Sequence, residues 1–238
     1  MAVLRLRLAG PQQSWGVQSR FRVRDTALEP TKSGVVGLLA AALGRPRTAD
    51  VTDLGRLRFG VRVDRPGVLR RDYQTAGGDQ AGRGYGVATV KGGLTTAESE
   101  RYYLADADFL VGLAGDRPLL AACRAALRRP RWPLFLGRRA FVPAEPVLLP
   151  GDESWVEEED LEAALLEYPW PRAGLLVPER DRPAALRFVV EAGAEAGWAG
   201  ETRPDQPVGR AFAERRFLPR RVVSYPKNLG TEVPLREA

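Results

Sequence analysis

Leu4, Leu6 and Leu8 alternate with Arg5 and Arg7 almost from the first residue, and this period of two constrains the fold more than any other feature of the chain. Only a strand with one buried face puts every second side chain on the same side. Gly10-Pro11 is expected to end that strand, and a polar loop from Gln12 to Gly16, with Trp15 inside it, follows. The segment TKSGVVGLLAAALG from Thr31 has the features of a helix: small residues throughout, a hydroxyl cap at Thr31 or Ser33, and Gly44 as terminator. Leu57, Phe59, Val61 and Val63 then alternate as a second strand that stops at Asp64-Arg65-Pro66-Gly67. Phe109, Val111 and Leu113 mark a third. Asp116 and Pro118 open a helix with Leu119, Leu120, Cys123, Ala126 and Leu127 on its apolar side, ending before Pro130. Leu134 to Val142 is expected to form a further strand, interrupted at Gly137-Arg138-Arg139.

The order is β-α-β, an insertion, then β-α-β, which predicts an α+β fold with a ferredoxin-like βαββαβ core of the kind RNA-recognition modules use, over residues 1–145. The insertion, about 68–105, is rich in Gly, Arg and Tyr and includes GGDQAGRGYG at 77–86; a stretch this long with little apolar periodicity is usually functional or mobile. Residues 146–238 are expected to form a small C-terminal subdomain. It would hold an acidic helix over Glu157–Glu167, a strand over Leu186–Val190 and a basic cluster over Phe217–Tyr225.

Composition bears chiefly on chemistry. The 238 residues include no histidine and one cysteine. The usual acid/base group near neutral pH is missing, and with it Ser–His and Cys–His nucleophiles and His-dependent ribonuclease mechanisms. Cys123 alone supports neither a disulfide nor a Cys-based metal site, so no cofactor or metal is expected. No apolar run approaches the roughly 18 residues of a membrane helix, and the charged N-terminus is no signal peptide, so a cytoplasmic location without membrane contact is expected.

The net charge of +6 is unevenly spread: residues 1–145 carry 24 Lys+Arg against 13 Asp+Glu, whereas 146–238 carry 12 against 17. A basic N-terminal portion of this kind suits a polyanionic partner. A GC-rich genome explains the preference for Arg over Lys but not the asymmetry.

Four segments carry possible chemistry. At Pro30-Thr31-Lys32-Ser33-Gly34, free helix N–H groups beside Lys32 and two hydroxyls suit a phosphate, although an ordinary capped helix has the same pattern, and the glycine spacing is not that of a P-loop. Arg70-Arg71-Asp72-Tyr73-Gln74-Thr75, beside the glycine-rich stretch, can clamp phosphates and stack on bases, or can be a solvated loop. Arg138 and Arg139 favour bidentate phosphate contacts, whereas Arg128 and Arg129 are read as cations finishing a helix. Arg215, Arg216, Arg220 and Arg221, beside Phe217 and Tyr225, are either a second RNA-facing surface or solvated. The five tryptophans read as core or interface anchors and the carboxylates Glu157 to Asp160 as a solvated face.

Taken together, LRLAGPQQSWG ending at Gly16, PTKSGVVGLLAAALG at 30–44, RDYQT at 71–75 and FLGRR at 135–139 resemble the CasD family, subunits of type I-E CRISPR Cascade complexes within the repeat-associated RNA-binding superfamily. The resemblance covers about the first 145 residues. It implies a ferredoxin-like core with a protruding β-hairpin thumb, here the insertion, and a non-catalytic role in antiviral defence. It further implies that the chain holds the 5′ handle of the guide crRNA and contacts a CasC-like backbone subunit and a CasA-like large subunit, meeting target DNA through the complex. By motif position, the RNA-facing residues would be Gln13, Trp15, Lys32, Ser33, Arg71, Tyr73, Gln74, Arg138 and Arg139. Two other functions are compatible with the residues: a metal-independent endoribonuclease acting on CRISPR precursor RNA through Tyr73 or Tyr85 with Lys32 or Lys91, and a protein-only assembly factor.

Overall fold

In the computed structural model, which describes residues 2–17, 22–77, 87–88, 94–157, 160–171, 177–193 and 200–236, the opening alternation forms β1 (Ala2–Gln13). Gly10-Pro11 does not end it, because its pairing with β7 continues to Gln13↔Leu104. After β2 (Val23–Arg24) come α1 (Lys32–Ala42), α2 (Thr52–Gly55) and β3 (Arg58–Arg65). Next are β4 (Val68–Ala76), the short β5 (Val87–Ala88) and β6 (Leu94–Thr95), and the 19-residue β7 (Ala97–Gly115). The chain continues through α3 (Arg117–Arg128), β8 (Trp155–Val156), α4 (Leu161–Leu166), β9 (Ala185–Glu191), β10 (Glu201–Pro207), α5 (Ala211–Glu214) and β11 (Phe217–Asn228).

The helix signals work as the sequence predicts. Thr31 caps α1, its hydroxyl accepting from Gly34 N at 3.2 Å, and Gly44 takes φ +71° just past the end. Asp116 caps α3 by accepting from Leu119 N at 3.0 Å. Leu134–Val142 is not a strand. It is an irregular segment in which Leu136 N donates to Phe141 O and Phe141 N donates to Arg138 O, short-range bonds in place of a strand ladder. The strand beside β1 is instead β8, pairing at Val3↔Val156 and Leu4↔Trp155.

One sheet runs β10-β11-β9-β3-β7-β1-β8, and every pairing along this path is antiparallel. Leu4, Leu6 and Leu8 are fully buried on one face, with Val35, Val36 and Leu39 of α1 and Leu120 and Cys123 of α3. The opposite face, where Arg5 and Arg7 point, is covered too. Val3, Leu110 and Phe188 pack there with Leu161 and Leu165 of α4, and Gly60 and Gly112 leave room for those leucines. Arg5 Nε donates to Glu153 O at 2.8 Å, and Arg62, completely buried, is ion-paired with Asp64 at 2.6 Å. The residues after 145 thus furnish the second layer and four strands of the same sheet, β8 to β11.

Where β3 ends, Gly67 takes φ +70°, and a Cβ there would lie 2.5 Å from Ala105 O. Asp106 opposite has φ +55°. Past this kink, β4 and the N-terminal half of β7 run on as an antiparallel hairpin, from Val68↔Ala105 to Ala76↔Ala97, with nearly every β4 residue exposed. Tyr85, Lys91, Glu158, Glu159 and Trp198, together with most of 77–86, lie outside the described residues.

Candidate nucleic-acid interface

The loop after β1 is built inward. Gln13 is fully buried; its Nε2 donates to Leu8 O at 2.9 Å and Ala107 O at 2.8 Å, and its Oε1 accepts from Trp15 Nε1 at 3.2 Å. Trp15 is 1% exposed and lies against Gly34 of α1, where a Cβ would come within 2.8 Å of its ring. Neither side chain has a face left for RNA, so their placement in the binding set is corrected. They fix the loop and α1 against each other.

Lys32 is corrected as well. It is 2% exposed, with Nζ 2.6 Å from Glu191 Oε1, and its backbone N–H donates to Asp205 Oδ2 at 2.7 Å. Arg220 of the C-terminal arginine group grips Asp205 through two contacts of 2.7 and 3.0 Å. The helix N-terminus does take an anion, as its dipole favours, but the anion is a carboxylate of β10. Burial draws the Lys32 ammonium below its usual pKa, against the opposing pull of Glu191.

The remaining candidates are accessible. Arg71 is exposed and 3.4 Å from Glu100, Tyr73 is 58% exposed, and Gln74 donates to Asp72. A hydrogen bond to Glu98 raises the Tyr73 hydroxyl above its ordinary pKa. These residues do not share one face. In the register Asp72↔Arg101 and Tyr73↔Glu100, Gln74 lies with Asp72 and Arg101, whereas Arg71 and Tyr73 lie on the other side. Ser33 is partly exposed at the head of α1, and Arg139 is exposed.

Arg138 marks the centre of the site. The first and fourth motifs meet beside it: Ser14 N donates to Leu136 O at 3.0 Å, and a Cβ on Gly137 (φ +91°) would sit 1.7 Å from Ser14 O, so only glycine fits that crossing. Arg138 donates to Tyr102 O at 2.8 Å and Arg24 O at 3.3 Å and stacks over Phe141 at 5.4 Å. Burial, and then the neighbouring Arg101, lower its pKa. β2 pairs parallel with β7 at Arg24↔Arg101, so three strands bring Arg24, Arg101 and Asp72 into one row. Arg24, Arg101 and Arg138 line an open pocket of about 360 Å³ with Ser14, Gly16, Gly137 and a single carboxylate, Asp25. Arg24 and Arg101 were missed from sequence, because only the pairing register reveals that they face Arg138.

The arrangement is a cationic depression near the base of the β4–β7 hairpin, lined by three arginines and two glycines and suited to a phosphate backbone. The family model described as CRISPR-associated protein (Cas_Cas5) matches residues 3–223. The Cascade subunit CasD of the CRISPR system of Escherichia coli (strain K12) is 34% identical over 178 residues, 68% of this chain and 75% of that protein. Two solved structures superpose across 98% of the chain. One, titled as a crystal structure of a Cas protein, is 44% identical with a TM-score of 0.74 over 98% of its own length. The other, from a CRISPR RNA-guided surveillance complex, is 33% identical with a TM-score of 0.76 over 95% of its length. The chain belongs to the Cas_Cas5 family of CRISPR-associated proteins.

Proposed function

We propose that the protein is a non-catalytic subunit of a type I-E CRISPR Cascade complex that holds the 5′ handle of the guide crRNA at the foot of its thumb. The observation that carries this reading is the convergence of Arg24, Arg101 and Arg138 on one open pocket whose lining includes one carboxylate. Kinship with a Cascade subunit and with a chain of an RNA-guided surveillance complex supports the guide RNA as the polyanion.

The ferredoxin-like assignment for the core is supported by the strand order β3-β7-β1-β8, with α1 joining β1 to β3 and α3 following β7. We divide the chain functionally near residue 145, as the sequence suggested, with most of the RNA-facing core before it and the remainder as its support, which also supplies β8 to the core sheet. The exposed hairpin serves as the thumb that meets the CasC-like backbone subunit, and the CasA-like large subunit and target DNA are reached through the complex. The RNA-facing set is revised to Ser33, Arg71, Tyr73, Gln74, Arg138 and Arg139 with Arg24 and Arg101 added. Absence of histidine together with the buried, ion-paired Lys32 weighs against the endoribonuclease. No helix among the described residues is long and apolar enough to cross a membrane.

The test is binding of the purified chain, alone and with the backbone subunit, to labelled 5′-handle RNA, with RNA length checked on a denaturing gel. Intact RNA held in preference to a scrambled handle supports the reading. Shortened RNA returns the nuclease, and no binding even with the backbone subunit leaves a protein-only assembly factor.

A further inference from the structure

Beyond Gly137 the basic pocket gives way to a second depression of about 430 Å³, and Gly137 lines both. α1 contributes mostly small residues to its lining, Gly34, Gly37, Ala40 and Ala41 beside Leu38. One wall is the segment after α3. Arg131 N donates to Ala42 O at 2.9 Å and Trp132 N to Ala41 O at 3.3 Å, so the chain carrying Trp132 is pinned to the end of α1. Trp132 nevertheless stays 41% exposed, a large aromatic held in place but not buried. Phe135 continues this wall toward Gly137. The opposite wall is Phe212 of α5, packed edge-on to Phe217 at 6.0 Å and tied down where Arg47 Nε donates to its carbonyl at 2.8 Å.

The charge of the groove matches that of the pocket. Arg45 and Arg47 line it, and no carboxylate among the described residues does. Arg45 is committed to Asp53 through two 2.6 Å contacts, whereas Arg47, held at its Nε by the Phe212 carbonyl, can offer its terminal nitrogens to a ligand. Planar apolar walls, a lining of small residues and a cation suit an unpaired base with its phosphate. Gly137 lines both depressions, so one strand can reach from the basic pocket into the groove.

We propose that this groove receives an unpaired base of the bound RNA, stacked against Trp132 and Phe135 with its phosphate at Arg47. The proposal rests on the RNA-binding function above and adds a second, base-accepting subsite to it.

The experiment uses the full chain and labelled 5′-handle RNA in which one nucleotide at a time is made abasic. At one position the loss of the base should weaken binding about tenfold, the order of a single base–aromatic stack. Trp132→Ala should weaken the intact RNA by a similar factor and abolish the penalty at that position, while Trp132→Phe should keep most of it. Phe135→Leu, expected to lose selectivity at the same position, serves if Trp132→Ala does not fold. Trp132→Ala binding every RNA like wild type, or weakening all of them equally, would overturn the subsite. So would normal RNA binding by Trp132→Ala combined with failure to join the other subunits, which would make the groove a protein dock. Dependence on Arg24 and Arg101 without dependence on Trp132 sinks the groove alone, whereas no handle binding by wild type sinks the parent function.

Discussion

Asp108 is the residue most at odds with its surroundings. It is 1% exposed, with Arg7 Nε 3.8 Å away, and burial followed by the nearby Asp64 pushes its carboxyl up to about 7. Between the unfolded value near 4 and the folded value near 7 the native state holds a proton that the unfolded chain has released, so stability falls as pH rises through that window and levels off above it. The loss from this one residue is at most ~4 kcal/mol. Thermal unfolding of Asp108→Asn from pH 4.5 to 8 should show that pH slope reduced, with the variant gaining on wild type toward pH 8; parallel curves would remove Asp108 as the cause. Lys32 and Arg138 separate structure from binding. Lys32→Ala leaves Glu191 buried with a weakened partner set and should cost about 3 kcal/mol in denaturant unfolding, with the salt dependence of RNA binding unchanged. Arg138→Ala should instead flatten that dependence by about 0.7 units of log–log slope, one phosphate contact on a single strand. An RNA slope altered in Lys32→Ala would restore that residue to the site.

Among the elements, the hairpin is the most separable. Its exposed β4 contributes little core, whereas β7 beyond the Asp106 kink is buried from Ala107 to Ala114. Joining Gln74 to Ser99, which pair directly, through an Asn-Gly turn should leave the midpoint of unfolding within a few degrees of wild type while impairing assembly with the backbone subunit. Normal assembly would retire the thumb assignment. The elements were unequally legible in the sequence. α1, α3, β1 and β3 announce themselves through caps and alternation, because their signals are local. β4 was not legible: Val68–Ala76 is solvated on both faces and carries no apolar period, so only its ladder with β7 defines it. Leu134–Val142 misled because its apolar residues plug the core individually, Leu136 and Phe141 among them, without strand pairing. The anion site at the head of α1 was legible as chemistry but not as an internal contact, since Asp205 is supplied by a distant strand.

For the whole molecule, the charge asymmetry becomes geometry. The basic N-terminal portion supplies Arg24, Arg101 and Arg138, and the more acidic C-terminal third covers the other sheet face and supplies Asp205 and Glu191 to hold α1. Motif order alone identified Arg138, but its companions Arg24 and Arg101 lie in segments whose spacing carries no signal. They become a site only when β2 and β7 pair beneath the FLGRR turn. The central claim is that these three arginines hold the 5′ handle, and the most direct measurement is the salt dependence of handle binding by wild type and by Arg24→Ala/Arg101→Ala. The account predicts a weaker affinity at every salt concentration and a log–log slope shallower by about 1.4 units, two phosphate contacts on a single strand. An unchanged slope and affinity would contradict it and move the RNA to another face of the molecule.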